Sequence, residues 1–309
     1  MQHITFKQLR YFDALARELH FGRAADACSV TQPALSMQIQ ELEATLGLVL
    51  VERTRSGIKL TAKGEEIATR GRKLLGDVRN LIDYAQHAGG ILSGALRIGV
   101  IPSIAPYLLP PLLPLLKDSY PALELHVRET QTAPLVHELL EGKLDVLLLA
   151  LPLRDPEIES LALFEDRFLL ASPKSKKLPG RVRATKEMVE QDRLLLLEEG
   201  HCLRDQALTY CSLQHASSVN TFGASSLSTI VEMVAGGLGI TLLPEISLAV
   251  ESRGRDISIM RFTEPEPSRS IGLAWRRSSP RVEDFKALGK LVLAASQDVL
   301  KRAAAANKI

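Results

Sequence analysis

The sequence predicts a helical N-terminal domain followed by a larger α/β domain of two lobes. Apolar residues recur at helical spacing through about the first ninety of the 309 residues. After GGILSG (89–94), which marks a linker, short apolar runs alternate with helical segments, a pattern typical of a mostly parallel α/β sheet. The strands are numerous enough for two sheets, so we expect two lobes with a cleft that binds a small molecule.

The composition is that of a soluble globular protein, with 46% apolar and 24% charged residues. The net charge of +2 indicates no particular partner. The chain does not start with a basic head and an apolar run, and five prolines interrupt the densest apolar stretch (99–116), which excludes a membrane-spanning helix there. We therefore expect a cytoplasmic protein with no membrane partner, in which a structural disulfide is disfavoured.

The first domain begins with two predicted helices. TFKQLRYFDALARE (5–18) is amphipathic, and FGRAADAC (21–28) is a short alanine-rich helix in which Cys28 is expected to pack. The apolar stripe of the first helix consists of Phe6, Leu9, Phe12, Leu15 and Ala16.

A third helix is predicted in SVTQPALSMQIQELEATLG (29–47). Thr31 can cap this helix, Pro33 fits its first turn, and Gly47 can end it. Two helices that meet at such a tight turn form a helix-turn-helix, whose second helix enters the major groove of DNA. Glutamine can pair with adenine there, and serine or threonine can bind bases or phosphates. The candidate DNA contacts are Thr31, Gln32, Pro33, Ser36 and Gln38, and the apolar face is Leu35, Ile39, Leu42 and Leu46.

A wing and a long helix complete this part of the chain. LVLVERTRSGIKLTAKGEE (48–66) predicts two short strands around RSG, with basic residues that suit phosphate contacts. The alternative is a solvated hairpin on a small helical bundle. Residues 62–89 predict a helix whose apolar stripe needs a partner, most simply its own copy in a two-fold dimer. The basic wing residues are Arg53, Arg55, Lys59 and Lys63, and the stripe is Ile67, Leu74, Leu75, Val78, Leu81, Ile82 and Ala85.

The rest of the chain alternates strand and helix patterns. It contains no glycine-rich phosphate loop, no HExxH and no nucleophile elbow. Ser103 follows a predicted strand near a helix start, so it either contacts a polar ligand or simply caps the helix. The strands are predicted at 96–101, 123–129, 144–151, 168–173, 193–199, 218–223, 239–244 and 271–276, and the helices at 104–118, 132–142, 225–237 and 282–301.

The segment GHCLRDQALTYC (200–211) holds two of the three cysteines. The two can be inert buried thiols, part of a zinc site with His201 and His215, or a redox pair. Nine positions on an α-helix span about 13 Å, whereas a disulfide needs Cα atoms roughly 4.4–6.8 Å apart. If 203–211 is helical when the thiols are free, a bond between Cys202 and Cys211 must remodel the segment.

Over its whole length the sequence resembles the LysR-type transcriptional regulators. FKQLRYF…TAKG (6–64), with TQPALS opening the second motif helix, carries the DNA-binding pattern of that family. The resemblance implies a winged helix-turn-helix domain at 1–61, a linker helix for dimerisation with a hinge at 62–93, and a regulatory domain at 94–309. It implies two Rossmann-like lobes, arranged as in periplasmic binding proteins: lobe I at about 94–164 and 268–309, and lobe II at about 165–267.

Within the family, the regulatory domain is similar to that of the members that sense hydrogen peroxide. GHCLRDQALTYC, RETQT (128–132), MVAGGLGITLLP (233–244) and PEPSRSIGL (265–273) carry this similarity. It implies that Cys202 is the peroxidatic cysteine and Cys211 the resolving one. Ser103 stands where the family often has threonine, and Thr221 stands where some members have histidine, so no role of that histidine transfers. The implied neighbours of the thiol and the peroxide are Ser103, Thr132, His201, Arg204, Asp205 and Arg269.

The resemblance implies a transcription regulator, mainly an activator, and not an enzyme. Peroxide would oxidise Cys202 to a sulfenic acid, and a reversible disulfide with Cys211 would change the arrangement of a homodimer or tetramer on promoter DNA. The implied partners are DNA, hydrogen peroxide, RNA polymerase and a cellular reductant of the glutaredoxin or thioredoxin type, with no cofactor and no metal. The rival functions are a regulator that senses a small metabolite between the lobes and a thiol peroxidase.

Overall fold

The structure, a computed structural model, describes residues 3–54, 57–86, 90–174, 183–211 and 224–307. It divides into two compact units, residues 1–85 and 86–309. Within the described ranges, no helix is both long enough and apolar enough to cross a membrane.

Three helices, a two-stranded wing and a long helix form the first unit. Thr5 caps the first helix reciprocally with Gln8, because each backbone N–H donates to the other side chain, at 2.9 and 3.2 Å. His20 caps the second helix, and Gly47 ends the third at φ +66°. The elements are α1 (Phe6–Glu18), α2 (Phe21–Ala27), α3 (Gln32–Leu46), β1 (Val51–Thr54), β2 (Gly57–Leu60) and α4 (Ala62–Gln86).

The apolar faces predicted for α1 and α3 form the core of this unit, with one exception. Leu35, Ile39 and Leu42 of α3 are fully buried, as are Phe12 and Leu15 of α1. The prediction for Phe6 is wrong, since 58% of this residue is exposed. Helical side chains tilt toward the helix N-terminus, so the first side chain of α1 points past the packed turns.

Polar contacts fix the start of the wing. Glu43 of α3 accepts hydrogen bonds from the backbone N–H groups of Leu50 and Val51, at 2.7 and 3.1 Å. Gly64 of α4 lies so close to the residue before β1 that an added Cβ would be 2.1 Å from the carbonyl oxygen of Leu50. β1 and β2 are antiparallel, and the wing therefore leaves α3 in a defined direction.

The second unit is an α/β domain. Its first half contains β3 (Gly94–Val100), α5 (Ala105–Ser119), β4 (Leu123–Glu129), α6 (Thr132–Leu140), β5 (Val146–Leu151) and β6 (Ile158–Pro173). Its second half contains α7 (Lys186–Glu190), α8 (Cys202–Cys211), α9 (Leu227–Ala235), β7 (Thr241–Pro244), a 3-10 turn (Glu245–Ser247), α10 (Leu248–Glu251), β8 (Ile257–Arg261), β9 (Ser268–Arg276) and α11 (Val282–Asn307).

One long strand connects the two lobes of this domain. The strand order is β4-β3-β5-β9-β6-β7, with β8 also paired to β6. Residues 158–167 of β6 pair with β9 in lobe I, and residues 168–173 pair with β7 and β8 in lobe II. Only β3 pairs in parallel, with β4 and β5, among the named strands of the described ranges, so the mostly parallel sheet predicted above is wrong. The apolar pattern of a strand does not reveal the direction in which it pairs. Here β6 and β9 pair antiparallel with all of their neighbours.

The predicted elements of this domain are confirmed except for one predicted strand of lobe II and for several elements that the prediction omitted. The predicted strand at 193–199 forms only isolated bridges, from Leu194 to Ile240 and from Leu197 to Ala224. The predicted strand at 218–223 lies outside the described residues, and the prediction omitted β8 and the first half of β6. These bridges nevertheless anchor the chain directly before α8.

Candidate functional site

The start of α3 presents polar groups to the outside. The prediction that Thr31 caps this helix is confirmed in position, since Thr31 is the N-cap with extended backbone, but its side chain makes no capping hydrogen bond. A cap side chain binds the N–H of the second or third helical residue; Pro33 in the second position has none, and that of Ala34 in the third makes no bond to Thr31. Thr31, Gln32 and Pro33 are exposed, and Ser36 is half-buried.

The other candidate DNA contacts differ in how free their side chains are. Gln38 is half-buried, and its Nε2 donates to Oε2 of Glu41 at 2.6 Å, so its amide is already engaged within α3. Arg53 lies on β1 opposite Ile58, although its side chain is outside the described set. Arg55 lies outside the described residues.

The two cysteines of the second unit are the first and last residues of α8. A helix of this length separates their Cα atoms by about 13 Å at 1.5 Å per residue. A disulfide allows at most roughly 6.8 Å between Cα atoms. Cys202 is a free thiol, half-buried and packed against the core. The helix and a 202–211 disulfide therefore exclude each other.

Two buried polar side chains flank Cys202 in sequence. His201 is buried, with Nε2 3.7 Å from Oε1 of Glu198. Arg204 is buried as well, and its Nη1 donates to the carbonyl oxygen of Leu197 at 3.2 Å. This contact ties the first turn of α8 to the bridged segment before it. Asp205, in contrast, lies on the exposed face of α8.

Two polar atoms near this helix are buried without a hydrogen-bond partner in the described part of the chain, Oγ1 of Thr132 and Oε1 of Gln206. Buried polar groups normally find partners, so each can accept one from a small ligand. Thr132 follows Gln131, whose Nε2 donates to the carbonyl oxygen of Glu199 at 3.3 Å, close to the start of α8. Sequence reasoning missed Gln131 and Gln206, although Gln206 lies four residues after Cys202 and thus on the same helix face.

Arg269 organises a second buried cluster. It donates to Asp166 from Nε at 2.9 Å and to Ser103 from Nη1 and Nη2, at 2.8 Å to Oγ and 3.1 Å to the carbonyl. Burial raises the pKa of Asp166, an effect that Arg269 and the N–H of Ile246 oppose. Ser103 thus serves Arg269, and the helix-cap alternative is wrong, since Ile104 occupies the N-cap of α5. Asp166 was missed because 103 residues separate it from Arg269.

The zinc alternative does not fit these positions. The described residues contain no group of three or more His, Cys, Asp or Glu side chains that could hold a metal ion. The two cysteines lie at opposite ends of α8, whereas zinc needs each sulfur at about 2.3 Å. His215 lies outside the described residues.

Comparisons with known proteins agree over both units. The model of the LysR substrate binding domain matches residues 89–297, and that of the bacterial regulatory helix-turn-helix protein, lysR family, matches residues 6–65. A relative from Streptomyces viridosporus, named "Probable hydrogen peroxide-inducible genes activator", is 43% identical over 297 residues, which cover 96% of this chain and 95% of the relative. The DNA-binding transcriptional dual regulator OxyR of Escherichia coli K12 is 38% identical over 291 residues, covering 94% and 95%.

A solved structure is similar over nearly the full length. It is a cysteine-to-serine variant of Corynebacterium glutamicum OxyR with bound hydrogen peroxide, with a TM-score of 0.67 and 33% identity over 98% of each chain. Together with the family models, these matches identify the chain as a member of the LysR family of bacterial transcriptional regulators.

Proposed function

We propose that this chain is a regulator that senses hydrogen peroxide through Cys202 and answers at promoter DNA, mainly as an activator. The observation that carries the proposal is the placement of Cys202 and Cys211 at the two ends of α8. Relatives named as hydrogen peroxide-inducible activators, and the peroxide bound to a similar structure, support it.

The proposed oxidation proceeds in two steps, and each step releases one water. The thiolate of Cys202 attacks one oxygen of hydrogen peroxide, so that an S–O bond forms, the O–O bond breaks, and the leaving hydroxide takes up a proton to become water. The thiol of Cys211 then attacks the sulfenic sulfur, which forms the S–S bond and releases a second water. A dithiol of the glutaredoxin or thioredoxin type returns two electrons and two protons and restores both thiols.

Each residue that we assign to the peroxide pocket has a separate role in the first step. Cys202 is the first residue of α8, so the partial positive charge of the helix N-terminus lies at the residue that attacks. Thr132, with its unpartnered hydroxyl, donates to the leaving oxygen, and Gln206 accepts a hydrogen bond from the peroxide. Arg269 holds Ser103 in place beside the start of α5. Arg204 keeps the first turn of α8 docked until the bond forms.

The switch follows from the geometry of α8. Formation of the bond breaks the helix, and any subunit contact that rests on it changes. The subunits pair through α4, where Leu74, Leu81 and Ile82 are exposed apolar residues, and two dimers form a tetramer on DNA. A changed arrangement shifts the footprint on the promoter and the contact with RNA polymerase.

Mass spectrometry before and after brief exposure to micromolar peroxide tests the proposal. We expect a peptide pair linked through Cys202 and Cys211, absent from the Cys202→Ser variant and retained in Cys28→Ser. A wild-type protein that keeps both thiols free, with transcription that does not depend on peroxide, would favour the metabolite-sensing regulator. Repeated turnover of peroxide by the isolated protein would favour the thiol peroxidase.

A further inference from the structure

A hydrogen bond from Gln131 joins the two lobes beside the proposed sensing thiol. Gln131 occupies the N-cap of α6, but its side chain makes no capping bond to that helix. Its Nε2 donates instead to the carbonyl oxygen of Glu199, 68 residues further along the chain, at 3.3 Å. The side chain thus crosses from lobe I to the segment of lobe II that leads into α8.

The backbone at Gly200 provides the room for this contact. Gly200 has φ +91°, a conformation that residues with a Cβ rarely adopt. A Cβ at this position would lie 2.5 Å from Oε1 and 2.9 Å from Cδ of Gln131. The amide of Gln131 therefore packs directly against the backbone of Gly200 as well as bonding to Glu199.

Each end of this hydrogen bond lies within three residues of a group that takes part in the proposed reaction. Thr132, with its buried and unpartnered hydroxyl, directly follows Gln131 as the first residue of α6. Cys202 begins α8 three residues after Glu199. The N–H of Glu198 donates to the carbonyl of Ala224 at 3.1 Å, which holds the start of this segment. The contact made by Gln131 therefore links the residue before Thr132 to the backbone that leads into Cys202.

We propose that Gln131 is a positioning residue for the reaction of Cys202 with peroxide, because its amide clamps the 199–200 backbone against the start of α6. The inference rests on the proposed function and deepens it. Small errors in the position of reacting groups slow a reaction strongly, so loss of the clamp slows the attack on peroxide. Gln131 is uncharged and acts through position, so the pH at which the reaction rate is half-maximal stays the same.

The clamp has the opposite effect on the second step. Cys202 must leave the helical position to reach Cys211, and residues 199–201 are directly joined to the part that moves. A segment released from Gln131 rearranges at least as fast as a clamped one. Slower sulfenic acid formation with undiminished disulfide closure is therefore the signature of the clamp, and a general loss of structure would not produce it.

The test measures the two steps separately in the full-length protein. In a Cys211→Ser background, a sulfenic-acid trap reports the rate constant of Cys202 with peroxide. With Cys211 present, rapid quenching and mass spectrometry report the closure rate. Gln131→Ala removes the whole amide, whereas Gln131→Met keeps the length and removes only the hydrogen bond. Gln297→Ala is the matched control, because Gln297 is exposed on α11.

We expect both Gln131 variants to react with peroxide about tenfold more slowly, with unchanged pH midpoint and melting temperature and a closure rate no lower than that of the wild type, and Gln297→Ala to behave as wild type. Wild-type peroxide rates in both variants would overturn the inference, as would a parallel loss of both rates and of melting temperature. A wild-type protein that forms no 202–211 bond would instead overturn the proposed function, which keeps the two failures distinct.

Discussion

The candidate DNA contacts and the candidate redox residues are held in opposite ways. Thr31 and Gln32 at the start of α3 are exposed, and Thr31 makes no cap bond there. His201 and Arg204 at the start of α8 are buried and paired. A DNA duplex is reached only by groups that project outward, whereas a small oxidant is controlled best where water is excluded and hydrogen bonds are strong. This difference in burial supports the assignment of the start of α3 to DNA contact and of the start of α8 to reaction with a small oxidant.

One cysteine from each unit shows the same contrast. Cys28 is the C-cap of α2, where the helix dipole disfavours a negative charge, and burial raises the pKa of its thiol despite the nearby Arg10 and Arg17. Cys202 is the first residue of α8, where the same dipole favours a negative charge. The position of each cysteine along its helix therefore supports the proposal that Cys202, rather than Cys28, reacts with peroxide.

The largest expected effect comes from replacing each of the three cysteines in turn with serine. Cys202→Ser should abolish the transcriptional response to peroxide, because serine is not ionised near neutral pH. Cys28→Ser should respond as wild type, and Cys211→Ser should consume one peroxide and then stop at a sulfenic acid or over-oxidise. A reporter assay with the three variants checks this. Normal induction in Cys202→Ser would refute the contrast between the two thiols.

Removal of a buried partner in the second unit should cost the most stability. Arg269→Met leaves Asp166 without its ion pair in the interior, so the free energy of unfolding should fall by about 3–5 kcal/mol. The control, Arg302→Met, removes an exposed i, i+4 pair with Asp298 and should cost at most about 0.5 kcal/mol. Urea titrations measure both. Equal losses would mean that burial does not distinguish these arginines.

The exposed residues of α3 should affect DNA binding rather than stability. Gln32→Ala should weaken binding to a specific site by about 1–3 kcal/mol if its free amide reads a base. Gln38→Ala should cost less, because its amide is bound to Glu41. Fluorescence titrations of one promoter compare the two variants. A larger loss for Gln38 would show that the helix docks on a different face.

The wing should contribute to binding without reading the sequence. Arg53→Ala should weaken binding to specific and nonspecific DNA alike and reduce the slope of log affinity against log salt by about one. Titrations at several salt concentrations measure this slope. Loss of affinity for the specific site alone would assign Arg53 to base contacts.

The smallest expected effect is a difference in alkylation. Because burial raises the pKa of Cys28 in the folded chain, its thiolate fraction at pH 8 is lower than in the unfolded chain, and the difference closes only well above the folded pKa. Iodoacetamide should therefore label Cys28 more slowly in the native protein than in urea at pH 8. Peptide mapping over time gives both rates. Equal rates would contradict the raised pKa.

Local features of the sequence predicted most helices well. The cap at Thr5 and the apolar face of α3 act within one helix, so spacing reveals them. Thr31 is the N-cap as predicted, but without a side-chain bond; Pro33 removes one of the two donors that such a bond can use, which the sequence already displays. Strand direction could not be predicted, since it depends on how β9 returns to β5 and β6.

The candidate site was predictable only in part. The cysteine spacing can be read directly, and α8 confirms the helix expected between the thiols. Asp166 and Gln131 could not be identified, because their partners lie 103 and 68 residues away and folding alone brings them together. Asp205, adjacent to the thiol in sequence, is exposed, because neighbouring helical residues face different directions.

If the proposed disulfide forms, the helix between Cys202 and Cys211 also determines how long the oxidised state lasts. The Cys202–Cys211 disulfide can form only when the ten residues of α8 lose their helix, and the tendency of those residues to refold opposes it. A cellular reductant therefore reduces this disulfide more readily than an unstrained one. A more stable α8 would shorten the lifetime of the disulfide form, and a less stable α8 would lengthen it. Substitutions inside α8 that contact neither thiol nor oxidant would thus tune the duration of the response separately from its threshold.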